Sequence, residues 1–194
     1  MCIRDRLKGI PKDVTILGAG RDTTLLQMGD IGSYEDIERI TFRNISLDTQ
    51  NDGLFDQRRG SLSIHLEAVR IVRFDAGHGG CQIFRTRGGT AVTAVDTEFM
   101  GGYGRNPGMA RFLDGEPFLG SFKNCVIELV NMGNLRSLDE GQVHFEGCHF
   151  HLEEPDPRNW SNSRVSLAGC TYEVIPSDAS DLKKNLQDLF PEAR

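Results

Sequence analysis

Apolar and polar residues alternate in short runs along this chain, and one six-residue version of the alternation occurs six times. Its first and sixth positions are apolar, and its fourth position is an aliphatic residue, Cys or Thr. The fourth positions fall at 45, 69, 97, 125, 148 and 170, which gives steps of 24, 28, 28, 23 and 22 residues. This period predicts a solenoid in which each repeat forms one coil. The six copies span residues 42–47, 66–71, 94–99, 122–127, 145–150 and 167–172.

Each copy predicts two short β-strands that meet at a two-residue corner. The alternation on both sides of the corner has the period of two that strands require. Five of the six residues at the second corner position are types that tolerate the left-handed backbone conformation, which costs most other residues about 1 to 2 kcal/mol. We therefore expect a bent strand pair at Asn44, Ala68, Asp96, Asn124, Gly147 and Gly169.

A third short strand is predicted before most of these pairs, because an apolar segment there ends in a glycine or turn cluster. Three strands per coil and about six to seven coils predict an all-β fold with no second domain. The segments are residues 53–56, 82–86, 109–113 and 135–138.

The three strands per turn, the Asn or Gly corner before the third strand, and the opening run VTILGAGRDTTLL at residues 14–26 resemble one known family. They are similar to the right-handed parallel β-helix of the pectin-lyase-like superfamily, over roughly residues 12–175. The resemblance implies a single-stranded right-handed β-helix over residues 7–176 in a secreted bacterial protein, extracellular or periplasmic. The superfamily contains lyases, hydrolases, esterases, epimerases and non-catalytic adhesins, so activity stays open.

The two ends of the chain differ from the repeats. Residues 1–6 resemble a translated adapter sequence from environmental sequencing, so we expect them to be non-native and the natural N-terminus to be missing. Residues 177–194 carry Leu182, Leu186, Leu189 and Phe190 at helical spacing and predict a short amphipathic helix. Such a helix would cover the open end of the solenoid.

Charge and composition narrow the possible partners. The formal net charge of −6 argues against nucleic acid, since phosphate binding relies on clustered Lys and Arg. No apolar run reaches the roughly 18 to 20 residues of a membrane span. We expect a monomer without a membrane span, and the family resemblance implies a polysaccharide ligand.

Three cysteines occupy the inward fourth position of consecutive repeats. Cys125, Cys148 and Cys170 are predicted to stack about 4.8 Å apart, the usual strand spacing. An odd number of parallel side chains favours reduced core thiols over disulfides.

The predicted first strands carry charged residues on their outward face. Asp56, Arg85, Arg111 and Arg136 are expected there, with Arg58, Arg87 and Asp114 at the adjoining corners. Loops that contain His78, Tyr103 and Arg105 would overhang this face. In the resembled superfamily, the sugar groove commonly lies along it.

Two interpretations of this charged face stay open. Asp56, Asp114, Asp139 and Glu140 could neutralise the arginines as surface ion pairs, each of small effect. Alternatively the face is a groove for an acidic polysaccharide, with Tyr103 as a stacking surface and Arg58, Arg87, Arg105 and Arg136 in contact with the sugar.

Catalysis in such a groove could follow either of two mechanisms. β-Elimination would need the uronate neutralised, by Arg85, Arg111 or calcium, and would use His78 or an Arg as the base. Hydrolysis would use Asp56 and Asp114 as the carboxylate pair. The function is thus predicted to be binding, with cleavage as an option, of an acidic polysaccharide, and the alternative is a non-catalytic, adhesin-like shaft.

A histidine pair lies on the third strand of one coil. His149 and His151 point outward, and Glu128 and Glu173 occupy the position of His151 in the coils on either side. This set contains ligand types that a divalent metal accepts, but a His between two Glu also avoids like-charge stacking. The sequence requires no cofactor, and calcium is the candidate that the fold allows.

Overall fold

The chain folds into a solenoid whose coils stack on one another, so that equivalent strands form three parallel β-sheets. The computed structural model describes residues 12–27, 37–48, 55–57, 61–74, 82–86, 89–101, 111–114, 117–128, 138, 140–152 and 162–174. Within those residues there are 17 strands and no helix, so the predicted all-β parallel solenoid is confirmed. Residues 1–6 and the predicted helix at 177–194 lie outside the described residues.

Sheet A contains the strands that precede the corners, and sheet B contains the strands that follow them. The order in sheet A is β1 (Asp13–Leu17), β3 (Arg39–Arg43), β6 (Leu62–Glu67), β9 (Thr90–Val95), β12 (Phe118–Lys123), β14 (Gly141–Glu146) and β16 (Val165–Ala168). The order in sheet B is β2 (Leu25–Gln27), β4 (Ser46–Asp48), β7 (Arg70–Phe74), β10 (Glu98–Gly101), β13 (Val126–Glu128), β15 (His149–Leu152) and β17 (Thr171–Val174).

Sheet C is formed by three of the strands predicted to open the coils. They are β5 (Phe55–Gln57), β8 (Gln82–Thr86) and β11 (Arg111–Asp114). The fourth predicted segment, residues 135–138, is described only at Leu138, which is buried.

The six corners have the left-handed backbone that the sequence predicts. The φ angles are 51° at Asn44, 52° at Ala68, 50° at Asp96, 53° at Asn124, 61° at Gly147 and 59° at Gly169. In the first five, the corner N–H donates to a carbonyl of the next coil, at N···O distances of 2.8 to 3.0 Å. Hydrogen bonding between coils thus continues through the bend, which explains why the corner repeats.

The repeat positions form continuous ladders in the core. The sixth positions pair directly in sheet B, from Leu47 through Ile71, Phe99, Ile127 and Phe150 to Tyr172. In sheet A, Phe122 stacks on Phe145 with ring centroids 5.0 Å apart. Because a parallel register that slipped by one residue would turn every side chain over, these ladders fix which residues face outward.

The cysteine column is buried and reduced, as predicted. Cys125, Cys148 and Cys170 are free thiols, and each donates to a backbone carbonyl of the preceding coil at 3.4 to 3.6 Å. The contact with Cys125 and burial raise the pKa of Cys148 to about 12. The contact with Cys148 and burial likewise raise the pKa of Cys170. Cys148 and Cys170 therefore stay protonated at neutral pH, whereas the contact with Cys148 lowers the pKa of Cys125.

Candidate functional site

The backbone register of sheet C brings three charged residues into one row. Asp56 pairs with Arg85 between β5 and β8, and Arg85 pairs with Asp114 between β8 and β11. Neighbouring positions in such a row are about 4.8 Å apart, so Asp56 and Asp114 are separated by roughly 9.6 Å. Along the row, the residue types therefore alternate between acidic, basic and acidic.

This row corrects the predicted positions of two residues. Arg111 is not at the position equivalent to Arg85, because it pairs with Gln82 instead, and Asp114 belongs to β11 rather than to a corner. Phe112 and Leu113 are adjacent apolar residues, so alternation alone could not select the register. The register found places an acid beside Arg85, and opposite charges stabilise a strand pair where like charges destabilise it.

Sheet C is attached to the other two sheets through Phe84. This residue is fully buried, and its ring centroid is 6.1 Å from that of Phe99, 6.1 Å from that of Phe118 and 6.3 Å from that of Phe122. These rings come from sheets B and A, so the core of all three sheets meets there. Arg85 is the next residue of β8 after Phe84.

The rest of the predicted polysaccharide site lies outside the described residues. This applies to His78, Arg58, Arg87, Tyr103, Arg105, Arg136 and Asp139. Glu140, the other predicted partner of the arginines, is described and exposed.

The outer face of sheet B carries the predicted histidine cluster, defined as Glu128, His149, His151 and Glu173. Register pairs Glu128 with His151 and His151 with Glu173, which confirms the predicted column. His151 Nδ1 lies 2.8 Å from Glu128 Oε1, and His151 Nε2 lies 3.7 Å from Glu173 Oε2. A carboxylate accepts but does not donate, so His151 carries a proton on Nδ1.

The second histidine of this cluster has its own partner. His149 Nδ1 lies 2.6 Å from Thr171 Oγ1, a contact that the sequence analysis did not identify. The two imidazole rings are perpendicular, with centroids 4.6 Å apart. Burial and the neighbouring His151 lower the pKa of His149, so the ring is held in its neutral form.

A second charged group on sheet B, the arginine cluster, was not predicted. It consists of Arg21, Asp22, Arg70 and Glu98. Arg70 donates from Nε to Glu98 Oε2 at 2.5 Å and from Nη1 to Asp22 Oδ1 at 2.7 Å. Arg21 Nη1 lies 3.0 Å from Glu98 Oε1 and also donates to the Asp96 carbonyl at 3.2 Å.

On the outer face of sheet A, side chains pair with residues of the adjacent coil, which are closer in sequence than the partners in the arginine cluster. Arg43 Nε lies 2.8 Å from Glu67 Oε2, and Lys123 Nζ lies 2.8 Å from Glu146 Oε1. His144 Nδ1 is 2.7 Å from Ser166 Oγ. Each of these side chains is thus satisfied by the adjacent coil.

Comparisons with protein-family models, with curated proteins and with solved structures gave no match. The fold class therefore rests on the described strands, and the superfamily stays a prediction. Among the residues that the structure describes, no helical segment has the length and apolarity needed to cross a bilayer.

Proposed function

We propose that this solenoid is a right-handed β-helix of the pectin-lyase-like kind and that it binds an acidic polysaccharide across sheet C. The observation that supports this is the register that aligns Asp56, Arg85 and Asp114. A uronic acid polymer offers one carboxylate and several hydroxyl groups per sugar. Guanidinium pairs with the former in a bidentate manner, and carboxylates accept hydrogen bonds from the latter.

Arg85 is the proposed anchor for one sugar carboxylate. The two flanking aspartates are proposed to hold hydroxyl groups of the same sugar and of its neighbours. Since Arg111 is offset from this row, it has a secondary role in the proposal. The remaining predicted contacts, Tyr103 and Arg105 among them, keep their place as proposed sugar-binding residues.

If the bound chain is cleaved, hydrolysis and β-elimination are both proposed reactions. Inverting glycosidases hold their two carboxyl groups about 6.5 to 9.5 Å apart, and the backbone spacing of about 9.6 Å between Asp56 and Asp114 lies just beyond this range, so hydrolysis would need the two side chains to lean towards each other. Elimination needs a second group beside Arg85 as base, and His78 is the proposed one. Asp56 and Asp114 also offer the oxygen ligands that calcium prefers, so calcium is the proposed cofactor to test.

A structural shaft is the second proposed function. It is favoured by the outer faces of sheets A and B, where Arg43, Lys123 and Arg70 are each paired with a carboxylate. Such faces offer little unsatisfied charge to a polymer. In either role, we propose an extracellular or periplasmic location and a monomer, since acidic polysaccharides are found outside the cell.

Binding of uronide oligomers by calorimetry, with and without calcium, tests the proposal. Arg85→Ala is expected to weaken binding about 10-fold or more, a loss typical of a charged hydrogen bond. Arg111→Ala should have a smaller effect. Arg43→Ala is the matched control, because Arg43 lies on sheet A, and it should leave affinity unchanged.

The same samples distinguish the reactions. New reducing ends without unsaturated ends would indicate hydrolysis, and Asp56→Asn or Asp114→Asn should abolish them. Unsaturated ends would indicate elimination. Binding without either product supports the binder, and equal affinity of Arg85→Ala and the unchanged protein would refute the sheet C assignment.

A further inference from the structure

We propose that His149, His151 and Glu173 bind a divalent transition-metal ion of the zinc class on the outer face of sheet B. This inference is independent of the proposed polysaccharide function, because it uses a different sheet and different residues. Parallel pairing of β13, β15 and β17 brings the three side chains together from two consecutive coils. One donor atom from each of the three lies within 4.8 Å of the others.

The hydrogen bonds around the two imidazoles orient them for a metal. His151 Nδ1 is held by Glu128 Oε1 at 2.8 Å, and His149 Nδ1 is held by Thr171 Oγ1 at 2.6 Å. Both Nε2 atoms are then the ones left to coordinate an ion. In known metal sites, a ligating His almost always donates a hydrogen bond from its other ring N–H to a carboxylate, a carbonyl or water, which fixes its tautomer.

The ligand types select the kind of ion. Imidazole suits zinc, copper, nickel and iron, whereas calcium and magnesium prefer oxygen ligands alone. Two His and one carboxylate are three protein ligands, and they leave a coordination position open to water. Glu173 has an exposed side chain, 63% accessible, whereas His151 is only 22% accessible. The open position therefore faces solvent.

Metal binding requires a modest contraction of the cluster. Zinc bonds of about 2.0 to 2.2 Å place tetrahedral donors about 3.3 Å apart. The donor atoms of the cluster are farther apart than this, at separations of up to 4.8 Å. Glu173 can make this adjustment because it is exposed and flexible. The His151 ring is already fixed by Glu128, so little ordering of the imidazole remains.

Avoidance of like-charge stacking does not account for the whole cluster. It explains His151 between Glu128 and Glu173. It does not explain why His149 places a second imidazole 4.6 Å from that of His151 on the same strand. A shared ion makes both histidines favourable together.

Calorimetric titration of ZnCl2 into the untagged, metal-free and reduced full chain tests the proposal. We expect saturable binding of one ion per chain. His151→Gln and Glu173→Gln should each weaken binding by about 100-fold or more, and Glu128→Gln, which changes only the partner of His151, by about 10-fold. His144→Gln is the matched control, since His144 pairs with Ser166 on sheet A, and it should bind zinc normally.

Substitution with Co²⁺ identifies the ligands. Visible bands of a nitrogen and oxygen site are expected in the unchanged protein and in His144→Gln, and their loss is expected in His151→Gln. Thiolate charge-transfer bands would show that the cysteines bind the ion and would overturn the proposal. So would the absence of one-to-one binding, or equal zinc affinity of His151→Gln and the control.

Discussion

Two clusters on the outer face of sheet B use the same register for different chemistry. The arginine cluster involves the central strands β7 and β10, and the histidine cluster lies on β13, β15 and β17 at one end of the sheet. In the arginine cluster, Glu98 bonds to both Arg70 and Arg21, so the charges neutralise one another within the protein. In the histidine cluster, the imidazoles are oriented by Glu128 and Thr171, and among the residues that the structure describes no Lys or Arg forms an ion pair with its carboxylates. A uniform solenoid can therefore carry a self-satisfied ion network on its central coils and a ligand set at one end.

The largest effect should come from the core ladder that supports the histidine cluster. Phe150, which separates His149 from His151 in the sequence, is fully buried. Its ring packs edge-on against that of Phe145, with ring centroids 5.2 Å apart. Phe150→Ala is expected to reduce the free energy of unfolding by about 3 to 5 kcal/mol because it leaves a cavity. Urea denaturation measures the loss.

Phe150→Leu is the control for this substitution, and it should cost clearly less because it keeps most of the volume. The alanine variant should also lose zinc binding, while the arginine cluster, which lies over Phe99 and Ile71, keeps its pairs. Equal stability of the alanine variant and the unchanged protein would contradict the ladder.

The corners give the next largest effect on stability, and they differ between the two clusters. Gly147, ahead of the histidine cluster, has φ of 61°, and an added Cβ would lie 2.8 Å from Asn124 Oδ1. Gly147→Ala should therefore destabilise the fold by about 1 to 2 kcal/mol.

The opposite exchange sharpens the comparison at the corner that precedes Arg70 of the arginine cluster. Ala68 already occupies the left-handed conformation at φ of 52° and lies two residues before Arg70. Ala68→Gly is expected to raise the free energy of unfolding by about 0.5 kcal/mol, since relief of strain exceeds the extra backbone entropy. Thermal melts of both variants check the pair, and changes of the same sign would rule out the corner assignment.

A smaller effect is expected from the arginine cluster itself. Arg70→Met keeps the aliphatic stem but leaves Asp22 without this partner and Glu98 with Arg21 only. The expected loss is about 1 kcal/mol at neutral pH, the upper range for partly exposed pairs. Arg43→Met on sheet A removes a more exposed pair and should cost less, and zinc affinity should be the same in both variants.

The smallest expected change concerns the thiols behind the histidine cluster. Cys125, Cys148 and Cys170 are buried, so they should resist alkylation in the folded protein. Mass spectrometry should show at most two labels on the native chain and five after denaturation, the total number of cysteines. Rapid labelling of Cys148 under native conditions would contradict the buried column.

Features that depend on a single position of the repeat were the ones best predicted from the sequence. The corner at Asn44 and its five equivalents follows from backbone sterics, and the Glu128, His151 and Glu173 column follows from counting equivalent positions. Arg111 was misplaced because the adjacent Phe112 and Leu113 give no alternation to follow.

The arginine cluster could not be found by the same counting. Arg21 and Asp22 lie in the segment between β1 and β2, outside the six-residue repeat. Their contacts with Glu98 and Arg70 join residues far apart in sequence. Only the stacking of coils in three dimensions brings this segment over β7 and β10.

Anomalous diffraction at the zinc edge, from a crystal soaked in ZnCl2, tests the contrast between the two clusters most directly. We predict a single strong peak in contact with His149, His151 and Glu173 and no peak at the arginine cluster. A peak at the cysteine column, or no peak at the histidines, would contradict the account.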